Sequence, residues 1–479
     1  MSSERALKVR LLQLNCHFTW QLLEKDFDAD ELEDRLNNQL EYLVSENKYM
    51  VYNMLAFVKH TQDSYTEAIA NLEQAEKLCS DETNRKLLVT YGNFAWVYYY
   101  SKNYEKSEIY LDKVDRIYQE LKKLSEEDLE VHEIYGEKGW SLLKVSGKYY
   151  GKAKECFEKA LEADPDNPEW NSGYATAVYR LEGFTLTFDP SKCKSLELLK
   201  RAVELNPKDS VVKTLLGLKL QDLKRADEGL KYIEEALRQT PDLPYMLRYV
   251  AKFYRRAGMT DKALTVLTRA VALLPSSGFL HHQIGLCYRR KMIDAKKLAK
   301  HDSRNRSAHT KEIKDCIKKA LFHFEMVVEL KKQFVYAYID LANMFKEANE
   351  YKKSEETFKK ALTLANLSED DKQRIHYYYG MFEEYGRKCE SEAVKHYKEA
   401  LLTAGTSENR QGCEQCLKRI ANRRLDGDPK DAFGYGLLGF VYKIQQNPVD
   451  AIECYEKALN LDPSNDEFLS SLCELKLNI

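Results

Sequence analysis

Four basic side chains each lie beside an aromatic one, within four residues along the chain. They are Lys144 after Trp140, Arg180 after Tyr179, Arg248 after Tyr245 and Arg255 after Tyr254. A guanidinium can hold a phosphate through two parallel hydrogen bonds, and an aromatic ring offers a face on which unpaired bases stack. Repeated along a groove, such pairs predict a surface for single-stranded nucleic acid. The competing interpretation, in which the rings are core and the cations pair with acids of neighbouring helices, is equally open at this point.

The sequence lacks the motifs of catalysis. It has no glycine-rich phosphate loop, no GxSxG elbow, no HExxH pair and no kinase signature. Cys413 and Cys416 have CxxC spacing, but no second CxxC or HxxxH lies nearby to complete a zinc site. His281 and His282 are adjacent, and adjacent helical residues point about 100° apart, which prevents them from facing one metal. We therefore predict that the protein is not an enzyme.

Composition favours a long helical chain. Among 479 residues there are 20 Gly and 10 Pro, too few for the turns of a sandwich or barrel, and 44% are hydrophobic, which argues against disorder. The 74 Lys and Arg nearly balance the 76 Asp and Glu, so a charged binding surface must be local. Charges interrupt the first twenty residues and every later 18-residue window, and the 11 cysteines are unpatterned. We expect a cytoplasmic protein.

A 34-residue period predicts the fold. Pro207, Pro241 and Pro275 follow helix ends at intervals of 34, the tetratricopeptide period. Small residues also recur 12 apart, as at Ala56 and Ala68, where two antiparallel helices of a repeat would cross closely. We predict an all-α, superhelical solenoid of about nine or ten tetratricopeptide repeats with extra inserted helices. Second helices should end near Ala75, Val114, Ala160, Ala202, Ala236, Ala270, Val327, Ala361 and Ala458, with a tenth near Ala400.

Breaks in this period predict the domain organisation. Residues 1–46 should form N-terminal capping helices, 47–285 a first block of repeats, 286–330 a basic inserted helical segment or pivot, and 331–479 the C-terminal repeats. About eight extra residues fall around 184–194. Charge is segregated in the same places, because residues 24–46 have a net charge of 2 − 9 = −7 and residues 289–319 have 12 basic against 4 acidic residues. A further basic helix contains Lys418, Arg419, Arg423 and Arg424.

Seven sequence blocks in fixed order resemble a known family. They are CHFTW at 16–20, LAFVKH at 55–60, GNFAWV at 92–97, GWSLLK at 139–144, AKFYRR at 251–256, HHQIGLCY at 281–288 and LGFVYK at 438–443. The family is the interferon-induced proteins with tetratricopeptide repeats, and the last residues, DPSNDEFLSSLCELKLNI, are most similar to its fifth member. The resemblance implies antiviral, innate-immune proteins that bind single-stranded RNA in a positive tunnel. They would hold its 5′-triphosphate, or an incompletely methylated cap, without sequence specificity and inhibit translation or replication of viral RNA.

The resemblance also implies roles for individual side chains. The 5′ phosphates would be bound by Gln39, Lys144, Arg180, Tyr245 and Arg248. Arg35 departs from the member that the chain most resembles, and we expect it to contact phosphate directly. The following nucleotides and their backbone would meet Trp140, Tyr150, Arg255, His282, Gln283, Phe334, Tyr336, Lys418 and Arg423. An acid among phosphate ligands is unfavourable without a cation, so Mg²⁺ would bridge Glu31 and the phosphates, although no cofactor is required. Val211 and Thr176 also depart from the family, at places that bear on cap binding.

The remaining expectations concern partners. The resemblance implies single-stranded RNA with a 5′-triphosphate, host proteins of the same family or the translation machinery, no membrane, and a monomer or weak homodimer. A rival function of another class stays open: a tetratricopeptide scaffold that binds protein partners through its concave groove. The two differ in salt response, because RNA binding should fall steeply as salt rises whereas binding of apolar peptide segments should not.

Overall fold

The structure, a computed structural model, describes residues 2–42, 47–79, 85–124, 131–183, 193–301, 305–365, 367–405 and 407–477. Every regular element in these ranges is helical. Most of the extra residues predicted around 184–194 lie outside the described residues. The chain divides into two compact units, which we call unit 1 (Met1–Met259) and unit 2 (Thr260–Ile479).

Unit 1 begins with helices that precede the first repeat and continues as helix pairs. The leading helices are α1 (Ser2–Leu11) and α2 (Ala29–Tyr42), with a 3₁₀ turn at Glu24–Asp26 between them. The pairs are α3 (Lys48–Thr61) and α4 (Tyr65–Lys77), α5 (Leu87–Tyr100) and α6 (Tyr104–Leu124), α7 (His132–Val145) and α8 (Tyr150–Ala163), α9 (Pro168–Glu182) and α10 (Ser195–Leu205), and α11 (Ser210–Asp222) and α12 (Ala226–Gln239). A 3₁₀ turn at Gly147–Tyr149 joins α7 to α8, and α13 (Pro244–Arg256) ends the unit.

Unit 2 has the same organisation with longer helices at two places. Its helices are α14 (Thr260–Leu273), α15 (Gly278–His301), α16 (Arg306–Leu330), α17 (Val335–Glu347), α18 (Tyr351–Leu362), α19 (Glu369–Phe382), α20 (Glu390–Leu402), α21 (Glu408–Gly427), α22 (Ala432–Ile444), α23 (Pro448–Leu461) and α24 (Asp466–Leu477). A π-helical turn at Glu383–Arg387 extends α19. None of the helices in the described part of the chain has both the length and the apolar character needed to cross a bilayer.

The predicted small-residue pairs mark the crossings of the repeat helices. The Ser107 hydroxyl donates to the carbonyl of Ala95, twelve residues earlier, at 2.8 Å, and Ser354 donates to Ala342 in the same way at 2.8 Å. A Cβ on Gly217 would lie 2.9 Å from the carbonyl oxygen of Gly229. Each of the ten expected second helices is present, so the all-α tetratricopeptide solenoid is confirmed. The predicted end near Val114 is wrong, because α6 continues to Leu124 and buries Ile117 and Leu121 in the added turns.

The turn between the two helices of a repeat uses one residue in the left-handed conformation. Asp63, Lys102, Lys224, Asn349, Lys388 and Gln446 occupy it with φ between 56° and 61°. Gly258 takes the equivalent place between α13 and α14 with φ of 75°. A non-glycine residue pays some strain for this conformation, and the recurrence of the turn shows that repeat packing overcomes that strain.

The predicted basic insertion lengthens two helices and adds no separate one. The extra residues between Cys287 and Lys318 extend α15 to 24 residues and α16 to 25, whereas α17 and α18 have 13 and 12. The predicted boundary between residues 285 and 286 therefore falls inside α15. The four-part division stays a prediction, whereas the two compact units divide between Met259 and Thr260.

Candidate functional site

Four cations of unit 1 meet although they come from four helices. They are Arg35 on α2, Lys144 on α7, Arg180 on α9 and Arg248 on α13, and we call them the unit 1 cation cluster. On α2, Glu31, Arg35 and Gln39 follow one another at four-residue spacing and so share one helix face. The same spacing joins Trp140 to Lys144 on α7 and Tyr245 to Tyr249 on α13. On α2 the polar side chains, on α7 Trp140 with Lys144, and on α13 the two tyrosines therefore lie along one face of the helix.

Arg180 is held by neutral oxygen atoms. Its guanidinium donates to the carbonyl of Leu143 at 2.9 Å and to the hydroxyl of Tyr245 at 2.5 Å, and reaches the hydroxyl of Tyr150 at 3.5 Å. It also lies over the Tyr150 ring, 5.2 Å from the ring centre. Burial lowers the pKa of Arg180. The three phenols around it raise that pKa by more than burial lowers it, so the group stays a cation. Its positive charge is oriented without being neutralised by a carboxylate in these contacts.

Arg248 lies between two tyrosines of its own helix. Its guanidinium is 4.3 Å from the ring centre of Tyr245 and 4.6 Å from that of Tyr249. It donates to the Tyr249 hydroxyl at 2.9 Å. Burial alone would raise the pKa of Tyr249, but the charges of Arg248 and Arg180 outweigh burial and lower it. Tyr249 is a member of the site that sequence reasoning missed, although its four-residue distance from Tyr245 places both on one face.

Arg35 and Lys144 complete the cluster. The Arg35 guanidinium donates to the backbone carbonyl of Lys144 and lies 3.8 Å from the Glu31 carboxylate, with 41% of its side chain exposed. Desolvation lowers the pKa of Arg35, Glu31 opposes this, and the charges of Arg248 and Arg180 lower it again. Burial likewise lowers the pKa of Lys144 to about 8, with Glu169 opposing and Arg35 adding to the effect. Each cation therefore feels the repulsion of the others.

The cluster has the properties of an anion site. Several positive charges are held close together and partly desolvated, an arrangement whose repulsion a bound polyanion would relieve. Tyr150, Tyr245 and Trp140 add ring faces, and Trp140 is half-buried with its ring centre 5.4 Å from that of Phe157. The described residues contain no group of three His, Cys, Asp or Glu side chains arranged to hold a metal. Glu31 thus offers one protein carboxylate on α2, and a ligand would have to supply further oxygens.

The first repeats of unit 1 are filled by the chain itself. The segment after α1 lies against α3, α5 and α7, where His17 Nε2 is 3.0 Å from the Ser141 hydroxyl and the His17 backbone N–H donates to Asn93 at 3.2 Å. The Phe18 ring stacks on Trp96 with ring centres 5.8 Å apart. Burial lowers the pKa of His17 to about 3, so this histidine is neutral. The inner faces of these three helices therefore bind a segment of the same protein, which leaves them unavailable to an outside peptide.

The predicted residues of unit 2 form a separate aromatic group. Phe334 lies 5.0 Å from the ring centre of His282 and 5.8 Å from that of Tyr336, and Tyr336 is 47% exposed. His282 is buried, with Nε2 2.9 Å from the carboxylate of Asp340 on α17. Sequence reasoning missed Arg374, whose guanidinium lies 4.3 Å from the Tyr336 ring centre. Gln283 is half-buried in unit 2, as are Gln39 and Arg255 in unit 1.

The basic helix α21 differs from the unit 1 cation cluster. Arg419 makes two hydrogen bonds to the Glu384 carboxylate at 2.8 and 2.9 Å, and Arg423 pairs with Glu390 at 2.5 Å. Lys418 donates to the Gln445 amide oxygen at 3.1 Å. The roles predicted for Lys418 and Arg423 in RNA binding stay predictions, and the charge of Arg423 is already matched by an acid.

The fold and this site define the class of protein: a tetratricopeptide-repeat protein with a cation cluster in its first unit. Tetratricopeptide-repeat models match residues 49–120, 132–167, 335–366 and 432–465. The human antiviral innate immune response effector IFIT1 is 43% identical over 462 residues, 96% of each chain. Human interferon-induced protein with tetratricopeptide repeats 2 is 33% identical over 466 residues, again 96% of each chain. The chain belongs to the family of interferon-induced proteins with tetratricopeptide repeats.

Solved structures agree with this assignment. The human IFIT1 dimer with PPP-AAAA has a TM-score of 0.81 at 42% identity, covering 95% of this chain and 99% of that one. An IFIT1 monomeric mutant with Gppp-AAAA has a TM-score of 0.86 at 43% identity, covering 95% and 100%. The family prediction is confirmed, and the finer resemblance to the fifth member stays a prediction.

Proposed function

We propose that this protein is an antiviral RNA-binding protein that binds single-stranded RNA by its 5′-triphosphate in the unit 1 cation cluster. The observation on which the proposal depends is the environment of Arg180, a half-buried cation oriented by Leu143, Tyr150 and Tyr245. A cation that is already oriented, and whose contacts to Leu143, Tyr150 and Tyr245 include no carboxylate, gives up little conformational freedom and breaks none of these contacts to an acid when it binds a phosphate. Sequestering foreign RNA in this way would inhibit its translation or replication.

The chemistry of the cluster favours the 5′ end over the bases. A triphosphate concentrates several negative charges within a few ångströms, which matches Arg35, Lys144, Arg180 and Arg248 better than one backbone phosphate would. Guanidinium and ammonium groups recognise phosphate oxygens whatever the base, so recognition would be independent of sequence. The aromatic rings of Trp140 and Tyr150 would support the first nucleotide by stacking.

The relatives support this proposal through the ligands in their structures. Human IFIT1 is described with PPP-AAAA and with m7Gppp-AAAA, and a monomeric mutant of IFIT1 with Gppp-AAAA. For this chain we propose the triphosphate as the first ligand and an incompletely methylated cap as the second. A buried threonine, Thr176, and a half-buried valine, Val211, are the departures from the family near which cap preference would be decided. We also propose a monomer or weak homodimer, in a cytoplasmic setting and in contact with family members or the translation machinery.

A divalent cation fits this site only together with the ligand. Glu31 lies on the same face of α2 as Arg35, and Mg²⁺ commonly combines one or two carboxylates with substrate phosphates and water. We propose that Glu31 would hold Mg²⁺ beside the bound phosphates, where the ion would offset the repulsion between carboxylate and phosphate. RNA binding should then weaken with EDTA in the wild type and respond less to EDTA in Glu31→Gln.

The proposal is tested with one short RNA in two forms. Binding of a tetranucleotide with a 5′-triphosphate or a 5′-hydroxyl would be measured for the wild type and Arg180→Ala, at two salt concentrations. We expect strong preference for the triphosphate, loss of that preference in Arg180→Ala, and weaker binding at higher salt. Arg201→Ala is the matched control, because Arg201 is an exposed arginine of unit 1 that pairs with Asp166. Equal affinity for both RNAs would reject 5′-end recognition.

The protein-scaffold alternative has a separate signature. A scaffold would bind protein partners with little dependence on salt and no competition from triphosphate RNA. The inner faces of α3, α5 and α7 are already covered by the segment containing His17 and Phe18, which disfavours an outside peptide there. If a protein partner binds and its affinity is the same for the wild type and Arg180→Ala, the scaffold function is favoured.

A further inference from the structure

The basic run between residues 289 and 319 divides into two parts in the structure. The cations nearest the start of the run are paired with acids of unit 2: Arg289 with Asp340, Arg290 with Asp294, Lys291 with Asp261 and Lys296 with Glu347. These pairs account for the charge where α15 packs on its neighbours. These ion pairs neutralise charged side chains at the edge of the helix packing, which is an ordinary structural role.

The cations beyond this paired section are different. All of them are exposed, and none forms an ion pair within the described part of the chain. Six of them, Lys297 and Lys300 on α15 and Arg306, Lys311, Lys314 and Lys318 on α16, are called the hairpin cations, and a seventh, Lys319, lies over the Tyr288 ring. The carboxylates described in the same section are Glu312 and Asp315. Six positive charges therefore face water with two negative ones nearby.

The two helices place these cations along one half of the pair, from the middle of α16 to the end of α15 and the start of α16. His281 on α15 meets His323 on α16, with Nδ1 atoms 2.9 Å apart, and Lys319 lies 5.3 Å from the Tyr288 ring centre. Residue numbers thus fall on one helix as they rise on the other, which makes the helices antiparallel. Extending this register places Lys297 level with Lys311. Lys311, Lys314 and Lys318, spaced three and four residues apart, share one face of α16.

The chemistry of this surface selects a nucleic-acid backbone as its ligand. A stable protein interface needs an apolar centre, and membrane binding needs an apolar face beneath the charges. Among the described residues, Leu298 is the exposed large apolar side chain between residues 297 and 318, and exposed Phe322 lies one turn beyond Lys318. A row of lysines with two separate apolar side chains nearby fits a chain of phosphates, where binding is driven by release of counterions.

We propose that the hairpin cations form a second RNA-binding site that contacts backbone phosphates of the RNA body, separate from the 5′-end site. The proposal rests on the proposed function for its class of ligand, but it requires no 5′ phosphate. The hairpin cations would extend the contact between protein and long RNA and add affinity that a short RNA cannot gain. Lysines act here as mobile point charges, so this contact would be insensitive to sequence.

The test uses RNA length and salt dependence in the full-length protein. Binding of a single-stranded, 5′-hydroxyl RNA of about 40 nucleotides would be measured over a salt series, beside the triphosphate tetranucleotide. The variant is Lys311→Ala/Lys314→Ala/Lys318→Ala. The control is Lys353→Ala/Lys359→Ala/Lys457→Ala, which removes the same charge from three exposed lysines of unit 2 that are ion-paired. Neither variant removes an apolar or buried group, so both should fold.

The expected result is a change confined to long RNA. For long RNA, the hairpin variant should make the slope of log K against log salt shallower by about 2. Each single-strand phosphate contact contributes about 0.7 to the magnitude of this slope, and three contacts are removed. Its affinity for the tetranucleotide should match the wild type, and the control variant should match the wild type for both RNAs. An unchanged slope for long RNA, or an equal loss in the control variant, would overturn the proposal. Because the long RNA has no 5′ phosphate, failure of the 5′-end site alone would leave the hairpin effect intact.

Discussion

Two groups of basic side chains in this protein differ in what surrounds them. In the unit 1 cation cluster, Arg180 and Arg248 are oriented by tyrosine hydroxyls and ring faces. In α21 of unit 2, Arg419 and Arg423 are bound by Glu384 and Glu390. The α21 residues are close together in the sequence, whereas the members of the unit 1 cation cluster come from four helices. In the first group, the contacts of Arg180 are to a carbonyl and to phenols, whereas both arginines of the second group contact carboxylates. The first group therefore has more of the character of a ligand site.

The difference follows from the repeat period. Cations on one repeat meet acids about one repeat away, as the separations of 33 residues for Arg423 and Glu390 and 34 for Arg256 and Asp222 illustrate. Arg180 also meets neighbouring repeats, at Leu143 on α7 and Tyr245 on α13, but these partners are a backbone carbonyl and a phenol. A basic residue without an acid one repeat away is therefore a better indicator of a ligand site in a solenoid than a count of charges.

The largest expected effect compares one arginine from each group. We expect Arg248→Ala to weaken binding of the triphosphate tetranucleotide by about 30-fold, since a charge-assisted phosphate contact is worth roughly 2 kcal/mol. Arg423→Ala should change that affinity by less than about twofold, because its charge is committed to an exposed ion pair with Glu390. Fluorescence anisotropy with labelled RNA measures both. Equal losses in the two variants would mean that pairing with acids does not separate the groups.

We expect the free energy of unfolding to fall more for an arginine variant in α21 than for one in the unit 1 cation cluster, the opposite of the order for RNA affinity. The Glu384 side chain is 5% exposed and accepts from Arg419 and from the Tyr397 hydroxyl. Arg419→Ala would leave this carboxylate without its main partner, at a cost of about 1 to 2 kcal/mol, which is less than for a fully buried pair because Arg419 is half-exposed. Arg248→Ala should leave the urea midpoint near the wild type, because relief of repulsion from Arg180 and Arg35 offsets the lost ring contacts. A larger loss in Arg248→Ala than in Arg419→Ala would reverse the assignment of structural and ligand-binding roles.

The sequence was sufficient for the repeats and for most of the cluster. The 34-residue period and the small residues twelve apart depend on local helix pairing, which is why the crossings at Ala95 and Ser107 could be predicted. Lys144, Arg180 and Arg248 stood out as basic residues beside aromatic ones. Their meeting with Arg35 on α2 could not be derived from periodicity, because α2 precedes the first repeat. The family resemblance supplied that prediction.

Three features lay beyond sequence reasoning for physical reasons. The partners of Arg423 and Arg419 come from another repeat, so their neutralisation appears only when repeats stack. The placement of His17 against Ser141 joins residues 124 apart with no periodic signal. The division of the 289–319 run into paired and exposed cations depends on how far α15 and α16 extend past their neighbours.

The pH dependence of RNA binding tests whether Lys144, a member of the unit 1 cation cluster, contributes its charge to the phosphate site. Burial lowers its pKa to about 8 from an ordinary value of 10.5, so this cation is lost as pH rises through 8. Affinity for the triphosphate tetranucleotide should fall roughly fivefold, about 1 kcal/mol, between pH 7 and 9.5. Glu169 acts in the same direction, because burial raises its pKa to about 7 and it becomes negative over the lower part of this range.

The contribution of Lys144 to the free energy of unfolding should increase over the same pH range in which RNA affinity falls. Between pH 8 and 10.5 the folded chain holds fewer protons on Lys144 than the unfolded chain, so this group raises the free energy of unfolding as pH increases. Lys144→Arg is the control, because its guanidinium stays charged and should flatten much of the binding profile. An identical fall in affinity with pH in Lys144→Arg would assign the titration to another group.

The smallest expected effect concerns Tyr249, the residue that sequence reasoning missed. Its hydroxyl accepts from Arg248 at 2.9 Å and lies 3.4 Å from that of Tyr245. Tyr249→Phe keeps the ring under the guanidinium but removes the oxygen that orients it, so affinity for triphosphate RNA should fall about threefold. Tyr442→Phe is the matched control in the other group, since the Tyr442 ring lies 5.1 Å below the Lys418 ammonium, and we expect no change in affinity there.

The sign of the Tyr249→Phe effect distinguishes two ways of holding a cation for a ligand. The charges of Arg248 and Arg180 lower the pKa of Tyr249, which moves the phenol toward its ionised form. If Tyr249 acts mainly by orienting Arg248, its removal weakens RNA binding at every pH. If it acts mainly as a negative charge that neutralises the arginines, its removal strengthens binding, most of all at high pH. The second outcome would make the unit 1 cation cluster resemble α21, with a phenolate in place of the carboxylate, and would contradict the distinction drawn between the two groups.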